Sequence, residues 1–108
     1  MQAEDKELTR SSGNIFTDLG IPEPEEMLAK AGLAHQICAI VEERGLTQIQ
    51  AARLLGVTQP KVSLLTRGRL AGFSMERLVH FLLLLQCDVE IIVKRQGNAS
   101  GHVRVIAA

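Results

Sequence analysis

The sequence lacks the long apolar segments and the high cysteine content of membrane and secreted proteins. Its 108 residues include no uninterrupted apolar run approaching the ~20 residues of a membrane-spanning helix, and Leu82–Leu85 is far too short. The beginning, MQAEDKELTR, is polar and contains nothing that resembles the apolar part of a secretory signal. We therefore predict a cytoplasmic protein, a compartment that two cysteines, Cys38 and Cys87, also fit.

Residue patterns of catalytic and metal sites are also missing. There is neither a glycine-rich phosphate loop nor a nucleophile elbow, and the adjacent Glu42 and Glu43 point to different faces of a predicted helix. His35 and Cys38 are spaced as two ligands on one helix, but no second pair has the spacing of a metal site. We interpret them as a surface imidazole and a buried thiol, and expect no enzyme activity, metal or cofactor.

The chain has no net charge, which by itself gives no support to a nucleic-acid-binding role. The charges are unevenly distributed, however. Residues 1–26 contain seven acidic and two basic side chains, whereas residues 27–81 contain seven basic and three acidic ones. Charges scattered only to solvate the surface remain an alternative, but the distribution also fits an acidic arm followed by a basic middle.

Prolines and glycines mark the ends of the first predicted helix. Pro22 and Pro24 precede an acidic turn, a combination typical of a helix start, and the helix is predicted to run to about Arg44. Gly45 then ends it, while Gly32 weakens its middle and is a candidate point of division.

Two short helices follow, joined by a tight turn. Thr47 and Gln50 form a predicted capping box for the second helix, which ends at Gly56. Thr58 begins the third helix, which ends at Gly68. Isolated helices below ~12 residues are unstable in water, so these two must be held by each other and by their neighbours.

Ser74 begins a fourth predicted helix, which extends to about Gln86 and is apolar on nearly every side. Such a helix must be covered on two sides, and in so small a domain we expect one cover to be a second subunit. Residues 88–95 read as a strand, and residues 102–107 as a second one that would complete a hairpin. We predict that the first strand pairs across a dimer. The predicted interface residues are Leu82, Leu85, Val89, Ile91 and Val93.

The third helix is the candidate functional element. With Val62 and Leu65 facing the core, its remaining surface offers amide, hydroxyl and cationic donors that suit base edges in a DNA major groove. The predicted base contacts are Gln59, Pro60, Lys61, Ser63 and Leu64, the last through a thymine methyl group. The predicted phosphate contacts are Gln48, Arg53, Arg67 and Arg69.

The stretch LTQIQAARLLGVTQPKVSLLTRG, residues 46–68, resembles the helix-turn-helix of the XRE (Cro/repressor-like) family, with matching spacing throughout. The flanks SGNIFTDLGIPEPEEMLAKAGLA and FSMERLVHFLLLLQCDVEIIVKR are similar to the HigA-like antitoxins, so that the resemblance covers residues 12–95. It implies base and phosphate contacts at Gln48, Gln59, Lys61, Ser63 and Arg67. Leu64 and Thr66 depart from residues that are frequent in the family, so the operator sequence does not carry over.

The resemblance further implies a homodimeric repressor that binds a palindromic operator in double-stranded DNA and neutralises a RelE/HigB-like mRNA-cleaving toxin. The alternatives are a stand-alone or phage-type regulator of the same family, and a protein-interaction module. The expected fold is mainly α, a compact repressor-like domain of four to five helices with a C-terminal strand or hairpin. Its predicted parts are a flexible acidic arm (1–14), the DNA-binding domain (15–86) and a dimerisation segment (87–108).

Overall fold

The computed structural model describes residues 23–97 and 100–108, so the predicted arm at 1–14 lies outside the described residues. The described part contains four α-helices. They are α1 (Glu23–Glu43), α2 (Gln48–Leu55), α3 (Gln59–Thr66) and α4 (Met75–Leu84). None of these described helices is long and apolar enough to cross a bilayer. Helix α1 is continuous, and Gly32 does not divide it.

The helix ends follow the local sequence signals. Thr47 and Gln50 form the capping box of α2. At the start of α4, the Ser74 hydroxyl accepts a hydrogen bond from the Arg77 amide. At α3 the prediction holds only in part, because Thr58 has extended backbone angles but its side chain makes no capping hydrogen bond. Pro60 lies in the first turn of α3, where its missing N–H costs nothing.

The core forms where α1 packs chiefly against α4, with α3 covering one side. Ile37, Leu78 and Leu85 have no exposed surface, and the rings of Phe73 and Phe81 are almost as deeply buried. Burying a side chain of this kind contributes roughly 1.5 to 3 kcal/mol, so this cluster stabilises the whole domain. A second, smaller cluster of Ala51, Ala52 and Val62 joins α2 to α3. The two alanines allow those helices to approach closely.

The expected C-terminal strand and hairpin are not supported, because no strand is found in the described residues. The tail, residues 100–108, packs on α1 instead of pairing with residues 88–95. The Val103 amide donates a hydrogen bond to Glu25 Oε1 at 3.0 Å, and His102 Nδ1 lies 2.9 Å from Glu25 Oε2. The alternation of Val103 and Val105 therefore reflects packing against the core, since an extended chain on a helix has the same period of two as a strand.

The predicted interface residues fall into two groups. Leu82 and Leu85 are buried in the core of the single chain, and the exposed leucines of α4 are Leu83 and Leu84. A nearly all-apolar helix does not reveal from its sequence which side the rest of the chain covers. The remaining three residues lie in the segment after α4. Val89 is half-buried against the core, whereas Ile91 and Val93 are exposed.

Candidate nucleic-acid interface

Helices α2 and α3 form a compact unit that fixes the orientation of α3. Gly56 ends α2 in the left-handed conformation, with φ of 73°, and the Val57 amide donates to Ala52 O at 3.0 Å. This arrangement reverses the chain within a few residues, and Val62 then packs beneath α2. As a result α3 lies across the domain with one side buried and the other free.

The free side of α3 carries a row of polar residues at intervals of four. Gln59 and Arg67 are exposed and Ser63 is half-buried between them. Gln59 and Ser63 share one face of α3, and Arg67, the residue that follows its last turn, continues the same spacing. Arg67 Nε donates to Ser63 O at 3.3 Å, which holds the guanidinium along this face. Pro60 is exposed beside them. We call Gln59, Ser63 and Arg67 the outer row.

Helix α2 contributes a second glutamine to the same end of α3. Gln59 Nε2 donates to Gln48 Oε1 at 3.5 Å, a long hydrogen bond between two exposed side chains. The bond orients both amide groups and leaves Gln59 Oε1 and Gln48 Nε2 available to another molecule. Gln48 also opens α2, where the free backbone amides of a first helical turn attract phosphate. The structure thus brings together a predicted base contact and a predicted phosphate contact.

Besides Pro60, two of the predicted base contacts lie outside the outer row. Leu64 is half-buried and packs against the main core, which draws it away from the free side. Lys61 is also half-buried, and its Nζ lies 5.4 Å from the centroid of the Phe73 ring. The helical spacing of α3 does not reveal what Lys61 touches, because Phe73 belongs to the loop after α3.

The predicted phosphate contacts are dispersed around the unit. Arg53 is exposed and lines an open groove between α2 and α4, together with Arg77 and His80. Arg69 is exposed just beyond the end of α3. The sequence analysis did not single out Arg77, whose amide donates a hydrogen bond to the Ser74 hydroxyl. Its guanidinium lies 5.5 Å from the centroid of the Phe81 ring. Its only signal was a position in the first turn of a predicted helix.

Cys38 supports α3 from below. Its Sγ lies 3.8 Å from the carbonyl oxygen of Leu65, and the side chain is half-buried between α1 and α3. Burial raises the pKa of the Cys38 thiol above its ordinary value of 9.0, and the charge of Glu42 raises it further. His35, three residues earlier, is exposed. The thiol therefore remains protonated at neutral pH and contributes to packing.

A short helix, a glycine turn and a second helix with an exposed polar face together define a helix-turn-helix domain, a fold that places its second helix in the DNA major groove. In a comparison with protein families, residues 15–94 match the family described as "Helix-turn-helix domain". The chain belongs to this family.

A solved structure described as "Putative XRE Family Transcriptional Regulator" is similar to this chain, with 40% sequence identity and a TM-score of 0.77. The match covers 81% of this chain and 100% of that one. A comparison with curated proteins finds no match. The resemblance to XRE-type helix-turn-helix proteins is therefore confirmed.

Proposed function

We propose that the chain is a sequence-specific DNA-binding transcriptional repressor whose helix α3 enters the major groove. The observation that carries this proposal is the outer row on the free side of α3, together with the hydrogen bond between Gln59 and Gln48. A glutamine amide can pair with the N6 and N7 positions of adenine, and an arginine with guanine. If the outer row only solvated the surface of α3, neither its alignment along one face nor its closeness to the first turn of α2 would be required.

Replacing Gln59 tests whether the outer row reads bases. Gln59→Ala should weaken binding to the operator by about 1 to 3 kcal/mol and relax preference at one base pair. Gln36→Ala, the same substitution on α1, is the control. Fluorescence anisotropy with a promoter fragment and an unrelated duplex measures both affinities. Equal losses on both duplexes would contradict base reading by Gln59.

We propose that the repressor acts as a homodimer on a palindromic operator, with residues 89–93 of two copies paired. Ile91, Ile92 and Val93 are 72% to 87% exposed, and no strand pairs with them in the described chain. Apolar, β-branched residues with free backbone groups favour pairing with another strand. Two recognition helices so joined would fit half-sites about 34 Å apart.

Charged substitutions test the pairing of this segment. Ile91→Lys combined with Val93→Lys places two like charges at alternate positions of each strand and should shift the dimer to monomer. The control is Ile106→Lys, because Ile106 is similarly exposed but lies in the tail. Analytical ultracentrifugation measures the mass. A wild-type monomer at micromolar concentration would overturn the homodimer.

We further propose that the protein is an antitoxin that neutralises a RelE/HigB-like toxin. Helix α1 begins with an acidic turn, and next to it Met27 and Leu28 are 54% and 67% exposed. An acidic start beside an apolar pair suits a basic RNA-cleaving partner. This surface lies on α1 rather than on α3, so binding of toxin and operator would use different faces.

Co-expression with the adjacent reading frame tests the antitoxin role. The neighbouring product should be toxic alone and should co-purify with this chain. Met27→Ser with Leu28→Ser should weaken that complex while operator affinity is retained. A harmless neighbour that does not co-purify would favour a stand-alone or phage-type regulator. A complex without any operator binding would favour a protein-interaction module.

A further inference from the structure

Lys61 differs from the other polar residues of α3 in what it touches. Its ammonium lies over the face of the Phe73 ring, 5.4 Å from the centroid, whereas Gln59 and Arg67 face solvent. The Phe73 ring is only 2% exposed and Lys61 is half-buried, so the lysine side chain covers the ring. A cation in this position is attracted by the electron-rich face of the ring.

The ring that holds Lys61 is itself fixed. Phe73 packs edge-on against Phe81, with centroids 6.1 Å apart and planes inclined by 74°. The Phe73 amide also donates to Leu70 O at 3.0 Å, which sets the course of the loop between α3 and α4. Phe81 is buried in the core. The position of the Phe73 ring is therefore fixed by the core and by the backbone of the loop.

Within the described residues, no carboxylate lies within salt-bridge distance of the Lys61 ammonium. Its charge is consequently not neutralised by another described side chain and is available to an anion. A lysine side chain has considerable rotamer entropy, which is lost when a ligand immobilises it. Because the Phe73 ring already restricts the Lys61 side chain in the free protein, less entropy is lost when DNA binds.

We propose that Phe73 is a positioning residue for DNA binding, which holds the Lys61 ammonium at the edge of α3 before the duplex arrives. The inference rests on the operator binding proposed above. It assigns to a buried loop residue an effect on affinity that acts through Lys61. A purely structural Phe73 would instead affect stability and leave the contribution of Lys61 unchanged.

A double-mutant cycle separates these two roles. Phe73→Leu removes the ring face but keeps an apolar side chain, and Lys61→Ala removes the cation. Loss of a partly exposed cation–π contact should weaken operator affinity about two- to fivefold. The loss should occur with Lys61 present and disappear in the Lys61→Ala background. Phe81→Leu is the matched control, since it disturbs the same aromatic pair without removing the ring that Lys61 touches.

A second measurement keeps the test decisive if Phe73→Leu does not fold. The ring current of Phe73 should shift the Lys61 side-chain methylene protons upfield in the NMR spectrum of the free wild-type protein. Lys61→Arg retains a cation that can stack on the ring and should bind the operator nearly as well as wild type, whereas Lys61→Met should not. Unshifted methylene protons, or equal binding by these two variants, would overturn the inference.

The outcomes also distinguish this inference from the proposed function. If the wild-type protein binds its promoter and the cycle is additive, Phe73 is only a core residue and the inference fails while the repressor proposal stands. If wild-type protein binds no promoter sequence specifically, the proposed function fails, and the inference about DNA binding fails with it. Coupling between Phe73 and Lys61 that Phe81→Leu does not reproduce would support the inference.

Discussion

At the scale of single residues, Gly32 shows how a helix position can be set by a distant part of the chain. A glycine inside a helix is less favourable than alanine by about 1 kcal/mol. Here a Cβ added to Gly32 would lie 2.7 Å from Cβ of Val105, closer than real Cβ contacts allow. The helix therefore gives up intrinsic stability so that the tail can lie against it.

We expect Gly32→Ala to destabilise the protein, or to bring no gain, because the new methyl group must displace Val105. In a Val105→Gly background the obstacle is absent, and the same change should stabilise by up to about 1 kcal/mol through helix propensity. Urea unfolding of the four proteins gives the coupling between the two positions. A similar gain in both backgrounds would show that the tail does not rest on Gly32.

At the scale of the helices, α1 to α4 share one way of ending. Each is followed by a residue in the left-handed conformation, and the next amide bonds back to a carbonyl of the last turn, as Cys87 does to Leu82. After α1, α2 and α3 that residue is a glycine, whereas after α4 it is Gln86, with φ of 67°. A side chain in this conformation costs roughly 1 to 2 kcal/mol.

Gln86→Gly should therefore stabilise the protein. Relief of the strain is partly offset by the greater freedom of glycine in the unfolded chain, which leaves a net gain of about 0.5 to 1 kcal/mol. The measurement is the free energy of unfolding in urea. Gln86→Ala is the control, because alanine keeps the Cβ and should give no comparable gain. Equal stabilisation by alanine and glycine would assign the effect to loss of the glutamine side chain.

The helices were predictable because their signals are local. The capping box at Thr47 and Gln50 and the glycine after Leu55 are contained within a few residues. The placement of Lys61 and Leu64 could not be predicted from the helical spacing of α3, since it depends on Phe73 and on core residues from other helices. The outer row lies between these cases, because its spacing is local but its exposure depends on the fold.

At the scale of the whole molecule, the part whose predicted strands the structure does not support is the C-terminal segment. Alternating apolar residues in an extended chain look alike whether they face a sheet or a helix, so residues 102–107 were assigned to a hairpin. In the structure the tail lies on α1, because Glu25 accepts two hydrogen bonds from tail residues more than seventy positions away in the sequence. No local pattern links a carboxylate in the first turn of α1 to a histidine near the end of the chain.

The attachment of the tail to α1 through Glu25 should weaken at acidic pH. Hydrogen bonds from the His102 ring and from the Val103 amide lower the pKa of Glu25 below 4.5, so its contribution to stability is complete above that value and is lost as the pH falls through the lowered pKa. The Val103 amide and Val105 methyl signals in NMR spectra should therefore change together below pH 4.5. Glu25→Gln retains the shape of the side chain without the titration and leaves Glu23 and Glu26 in place. The same acid transition in that variant would show that another carboxylate holds the tail.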